Sequence, residues 1–327
     1  IAQTYMKHFS DPDNNNNLHI YSKNPRRYFR TKTKNVCSEE NWGTNPYFKN
    51  KRAIELYLNS IEPYWNACVD NIINLQNDKM AKVILSGYIA VLAACTPASV
   101  RIGADWHSKV IEHILMMLIR QKQENPGSLP DLPPLPENLE KFIDKGNLLK
   151  AKIDPKYSHA VGISLLNSTH WNIYKSDWLI LINDTDNLFL TSDFPVTYYY
   201  PDQNSQLPYR FVPISPRIGM LITPNLKEED HNVPRTELES WPETEVQFSE
   251  IKPKYPKIFN TLTVKSAERF VISSQKKEWI SQLVEKYKDW RMEDDTVKIP
   301  TSQSGTYFMS RRRPRAVIEE KTAATTL

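Results

Sequence analysis

Trp178-Leu179-Ile180-Leu181-Ile182-Asn183-Asp184-Thr185-Asp186-Asn187-Leu188-Phe189-Leu190-Thr191-Ser192-Asp193-Phe194-Pro195-Val196 is the stretch on which the fold turns. Two short apolar runs, 178–182 and 188–190, flank five turn-forming residues. Runs of this length and composition read as strands, and the spacing predicts a hairpin with the two runs paired antiparallel. The second run halts on Thr-Ser-Asp and a proline, which lacks the backbone donor a continuing strand needs.

Working outward, further strands are predicted at Thr197 to Tyr200, Ile218 to Thr223 and Arg269 to Ser273, followed by a helix from Lys276 to Arg291 with Trp279, Leu283 and Tyr287 facing inward. Upstream the period changes. Ile54, Leu58, Ile61, Trp65, Cys68 and Ile72 recur every three or four residues, an amphipathic helix with a kink or fresh start at Pro63. Helices are also predicted over Ala81 to Ala94, Trp106 to Gln121 and Leu139 to Lys150; between the last two, Glu124 to Pro136 holds five prolines and reads as an exposed loop. At the start, Tyr5 to Phe9 and Leu18 to Tyr21 stand on either side of Asp11-Pro12-Asp13 and an asparagine run, which predicts strand, loop and strand. The whole is an α+β fold: a helical N-terminal half packed on a mostly antiparallel sheet from the C-terminal half. We expect one domain over 1–295, with a helical part at about 50–150, a strand-rich part at about 155–295 and a tail at 296–327.

Composition excludes several classes. The 8 glycines compare with ~23 at average usage, and neither G-x-x-x-x-G-K nor G-x-G-x-x-G occurs, which removes the phosphate-cradling nucleotide folds. Cys37, Cys68 and Cys95 are odd in number and scattered, against a disulfide framework or a cysteine zinc site and in keeping with a reducing cytoplasm. The seven histidines include no H-E-x-x-H or H-x-H, and no G-x-S-x-G is present. Val83 to Cys95, the longest apolar stretch, is broken by Ser86 and Gly87 and falls short of the ~20 residues of a membrane helix. A start at Ile1 in place of Met leads us to expect residues ahead of it. The net charge of +4 is too small to imply nucleic acid by itself. The basic runs Arg26 to Arg30 and Arg311 to Arg315 read as solvated loop and tail charge.

Two sets of residues carry candidate chemistry. Asp193, at a strand end before Pro195, suits either a local turn cap shared with Ser192 or a carboxylate free to bind a metal or take a proton. Glu55 and Glu62, seven apart, share a helix face beside the apolar stripe; they are either a solvated border or, with Glu39 and Asp193, ligands that converge on one divalent cation, Mg2+ or Mn2+.

Several pieces, in order along the chain, carry a resemblance. Ile1 to Phe9, Ile20-Tyr21-Ser22-Lys23, Val36 to Trp42, Ile54-Glu55 with Ile61-Glu62, Thr96-Pro97 to Arg101, and the Thr191-Ser192-Asp193 segment resemble the domain of unknown function 4238 family, widespread in bacteria, in which a strand ending F-x-TSD-x-PV is a signature. Cys95 stands where the family has an arginine. The resemblance spans roughly Ile1 to Trp290 and brings no established reaction with it. It directs attention to its matching polar residues: Asp193, Glu62, Glu39, Ser192 and Gln3 as catalytic candidates, and Thr191, Arg101 and Tyr5 as ligand-binding ones. Of these, the segment around Gln3, the acids Glu39 and Glu62, and Asp193 are expected to meet in one polar pocket. The reading is a metal-dependent hydrolase acting on nucleic acid or a nucleotide, as in bacterial defence or toxin proteins. The alternative is a non-catalytic module that holds an anionic ligand or protein partner through Arg27, Arg30 and Arg101.

Overall fold

Leu18–Ser22 (β1) is buried along its whole length, which requires a strand neighbour on each side and cover on both faces. Its neighbours are Arg27–Thr31 (β2) and Phe270–Ser273 (β9), both antiparallel, and Thr191–Ser192 (β4) joins the far side of β9. The computed structural model describes residues 3–37, 42–124, 150–201, 205, 207–225, 240–300 and 306–317. A second sheet runs in the order Thr197–Tyr199 (β5), Tyr209–Pro213 (β6), Ile218–Thr223 (β7), Asp177–Ile182 (β3) and Val246–Glu250 (β8), antiparallel except for the parallel pair β3–β8.

Helices cover these sheets: Gln3–Lys7 (α1), Ala53–Asn59 (α2), Trp65–Ile73 (α3), Lys79–Ala94 (α4), Pro97–Glu124 (α5), Pro155–Ser164 (α6), Leu166–Tyr174 (α7), Lys254–Ser266 (α8) and Glu278–Lys286 (α9). The fold is α+β, with most of the helix in the N-terminal half. At the centre is α4, buried from Ala81 through Ala93, as a helix apolar on every side must be. Asp78 caps its start by accepting from the Met80 N–H. Pro97 opens α5 within three residues of its end, at a helix position where no backbone donor is needed. The core around α4 takes in Trp65, Tyr88, Tyr5, Phe194 and Ile272. No single helix among the described residues is long and apolar enough to cross a membrane; α4 and the first part of α5 reach that length only as a pair bent by 57°.

The predicted break at Pro63 is present: α2 stops at Asn59, Glu62–Tyr64 makes one 3-10 turn, and α3 starts at Trp65. Other expectations change. The runs 178–182 and 188–190 do not pair. β3 takes β7 and β8 as its partners, and 188–190 crosses between the sheets. Asn260 of α8 supplies the reason: its side chain donates to Leu188 O at 2.9 Å and accepts from Leu190 N at 2.9 Å, replacing the ladder a hairpin would have used. Tyr5 lies in a helix, and the N-terminal hairpin is β1–β2. Residues 155–174 and 254–266, expected within the strand-rich part, are the helices α6, α7 and α8. Part of the expected tail is folded, since Trp290–Pro300 (β10) pairs antiparallel with Thr306–Ala316 (β11). The loop after Glu124 and the helix predicted before Lys150 lie outside the described residues.

Candidate functional site: a cleft at the α4–α5 turn

The Thr-Ser-Asp segment is fully engaged by the protein itself. Tyr5 Oη donates to Pro213 O at 2.7 Å, so the Thr191 hydroxyl, 2.7 Å away, donates to the phenol in turn. That chain ties β4 of one sheet to β6 of the other through a fully buried ring. Ser192 Oγ closes a local turn, donating to Phe194 O at 2.8 Å and accepting from Phe194 N at 3.1 Å. Asp193 reaches further than a local cap. Its carboxylate accepts from the backbone N–H groups of Glu268, Arg269 and Phe270 at 2.9, 2.7 and 3.1 Å, fastening the turn that feeds β9. Burial pushes its carboxyl up to about 6, with the three N–H donors pulling the other way.

Beside this corner lies a cleft of about 410 Å³ whose lining includes Glu55, Glu62, Asp193, Glu268, Arg269 and Tyr88. Glu62 reaches the cleft from the 3-10 turn between α2 and α3, and the α4–α5 turn brings Cys95 and Thr96 to the same lining. Glu55, Glu62 and Asp193 line this one cleft. Most of their charge is already used. Glu55 pairs with Arg52, and Glu268 takes a bidentate pair from Arg101 at 2.8 and 3.0 Å. Glu62 is different: half-buried, it has no hydrogen bond or ion pair to a described residue, and burial raises its carboxyl above the usual range. Cys37 and Cys95 also line the cleft, but burial pushes both thiols up to about 12, which leaves no thiolate near neutral pH.

The remaining candidates do not gather there. Gln3 is exposed on α1, and Tyr5 is committed to Thr191 and Pro213. Arg101 serves the Glu268 pair and also reaches Glu293 at 3.1 Å and Met292 O at 2.6 Å. Arg27 and Arg30 are exposed on β2, and neither lines the cleft. Glu39 lies outside the described residues, although Cys37 and Trp42 on either side of it line the cleft. Among the described residues no three histidines, cysteines or carboxylates stand together to hold a metal ion. The sequence reading missed Glu268 and Arg269, which follow α8 and precede β9; the only signal for them was the strand start predicted at Arg269.

Two sheets stitched by a Thr-Ser-Asp corner, with an acid-lined cleft against a buried central helix, define an α+β protein with a recess of ligand-binding size at that corner. The family model described as "Protein of unknown function (DUF4238)" matches residues 1–277, and the chain belongs to that family. No curated protein and no solved structure matches the chain.

Proposed function

We propose that the cleft is an active site in which Glu62 acts as general acid or base in the hydrolysis of a bound small molecule. One observation carries this reading: of the carboxylates lining the cleft, Glu62 alone has no partner among the described residues, and its burial holds its protonation closer to neutral pH than a solvated glutamate's. The lining sets four carboxylates against Arg269, which favours a neutral or cationic substrate over a polyanion.

A second reading keeps Mg2+ or Mn2+, with Glu39, Glu55, Glu62 and Asp193 as ligands and nucleic acid or a nucleotide as substrate, as a defence or toxin nuclease would need. Its support is that three of the four line one cleft and that both described neighbours of the fourth segment do too. Three N–H donors already occupy the Asp193 oxygens and Arg52 occupies Glu55, so the described residues do not by themselves fit a cation, and no step is drawn through one. The cytoplasm is the compartment assumed, in keeping with three free cysteines.

The test is turnover of p-nitrophenyl esters, bis(p-nitrophenyl) phosphate, nucleoside triphosphates and single-stranded DNA, each with EDTA and with Mg2+ or Mn2+. The expected result is ester or phosphoester turnover in EDTA that falls by about 10²- to 10⁴-fold in Glu62→Gln. Turnover that requires the cation transfers the assignment to the second reading. No turnover of any substrate, or a Glu62→Gln enzyme as active as the wild type, overturns the proposal.

A further inference from the structure

A second recess, of about 420 Å³, shares no lining residue with the cleft and is reached from the other side of the same α4–α5 turn. Its lining includes Trp106, Tyr198, Tyr200, Arg210 and Arg312. The β5–β6 register sets Tyr198 directly opposite Arg210. From β11, Arg312 reaches across to the same phenol, with Nη1 3.4 Å from Tyr198 Oη and 3.3 Å from Ala93 O at the end of α4. The two guanidinium carbons stand 5.9 and 5.8 Å from the Tyr198 ring centre.

Two like charges thus flank one buried tyrosine, and neither arginine has a carboxylate partner among the described residues. Converging cations in a partly desolvated niche repel one another unless an anion lies between them. Tyr198 registers the same field: its burial would raise the phenol, yet Arg312 and Arg210 bring it below its ordinary range. Because Arg312 donates to the phenol oxygen, the hydroxyl's own proton is left to donate. The lining does contain a carboxylate, Asp294, which accepts from Ser310. Apolar and aromatic surface completes the recess through Trp106, Leu165 and Tyr200, the last with the Arg311 guanidinium 4.3 Å from its ring centre. The volume falls within the ~300–1,000 Å³ usual for small-molecule sites.

We propose that this recess binds a small organic anion, its phosphate or carboxylate group seated between Arg210 and Arg312 and accepting the Tyr198 hydroxyl, with the body of the molecule against Trp106, Leu165 and Tyr200. An arginine pair reads such groups through paired N–H donors.

The test is calorimetric titration of the full chain with adenosine monophosphate and with citrate, which separates the two anion types. Arg210→Gln, Arg312→Gln and Tyr198→Phe are compared, with Arg27→Gln as a charge-matched control and thermal melts to confirm folding. Saturable, salt-sensitive binding of either probe that weakens about tenfold or more in both arginine variants, less in Tyr198→Phe and not in Arg27→Gln is expected. If either arginine variant unfolds, the Tyr198→Phe comparison and the salt dependence decide. Absence of saturable binding by both probes at millimolar concentration overturns the proposal, as does binding that Arg27→Gln weakens as much as Arg210→Gln.

Discussion

The two recesses that flank the α4–α5 turn differ in what their charges are doing. On one side the acids are nearly all occupied: Asp193 by three backbone N–H groups, Glu55 by Arg52 and Glu268 by Arg101. Among the described residues only Glu62 is left over. On the other, Arg210 and Arg312 face a single phenol, and neither has a carboxylate partner among the described residues. A polar group that is buried and satisfied holds the fold together, whereas one that is buried and unsatisfied costs free energy until something binds it. A dense set of polar residues therefore marks a corner of this fold, and residual charge within such a set marks a site.

The largest effect should come from breaking the occupied side at Arg101. Arg101→Ala removes the bidentate partner of Glu268 and leaves Glu268 and Glu293, each mostly buried, to Arg291 alone, 3.8 and 2.5 Å away; it is expected to cost about 3 kcal/mol or more in chemical denaturation. A loss no greater than that of an exposed pair, under about 1 kcal/mol, would make the pairing on this side incidental.

That corner was partly legible in the sequence, and the other was not. Ile218–Thr223 and the break at Pro63 follow from short-range pattern, because alternation and a missing N–H act locally. Ser192 also behaves as a turn former does. The partners of β3 were not legible: the side chain of Asn260, 72 residues from Leu188, satisfies the backbone that a hairpin would have used. Nor was the hairpin of β10 and β11, whose charged composition reads as a tail. Its strands are joined through acids paired with bases, Asp295 to both Arg313 and Arg315. The Tyr198–Arg210–Arg312 set depends on that hairpin, so no local pattern announced it.

A smaller, pH-dependent effect sharpens the contrast between satisfied and unsatisfied groups. His170 is neutral and fully used, its Nε2 donating to Val83 O at 2.8 Å and its Nδ1 accepting from Tyr57 Oη at 2.9 Å. Burial lowers its pKa to about 4 from an ordinary 6.5. A folded value below the unfolded one means stability is present above pH 6.5 and is lost as pH falls toward 4. The expected loss across that window is up to about 3 kcal/mol, flattened in His170→Asn. Asp193, raised to about 6, acts in the opposite sense, favouring the fold as pH falls from 6 toward 4. A wild-type slope unchanged by His170→Asn would show that this histidine is not held neutral by its surroundings.

The most direct measurement is the unfolding free energy of Asp193→Ala beside that of Glu62→Gln, in the same buffer and by the same denaturant. Both residues line one cleft, and only their partners differ. Asp193→Ala leaves three backbone donors of the 268–270 turn without their acceptor and is expected to lose about 3 kcal/mol or more. Glu62→Gln breaks no bond among the described residues and is expected to stay within about 0.5 kcal/mol of the wild type. Equal losses in the two variants, or an Asp193→Ala protein as stable as the wild type, would contradict the division between structural and functional acids.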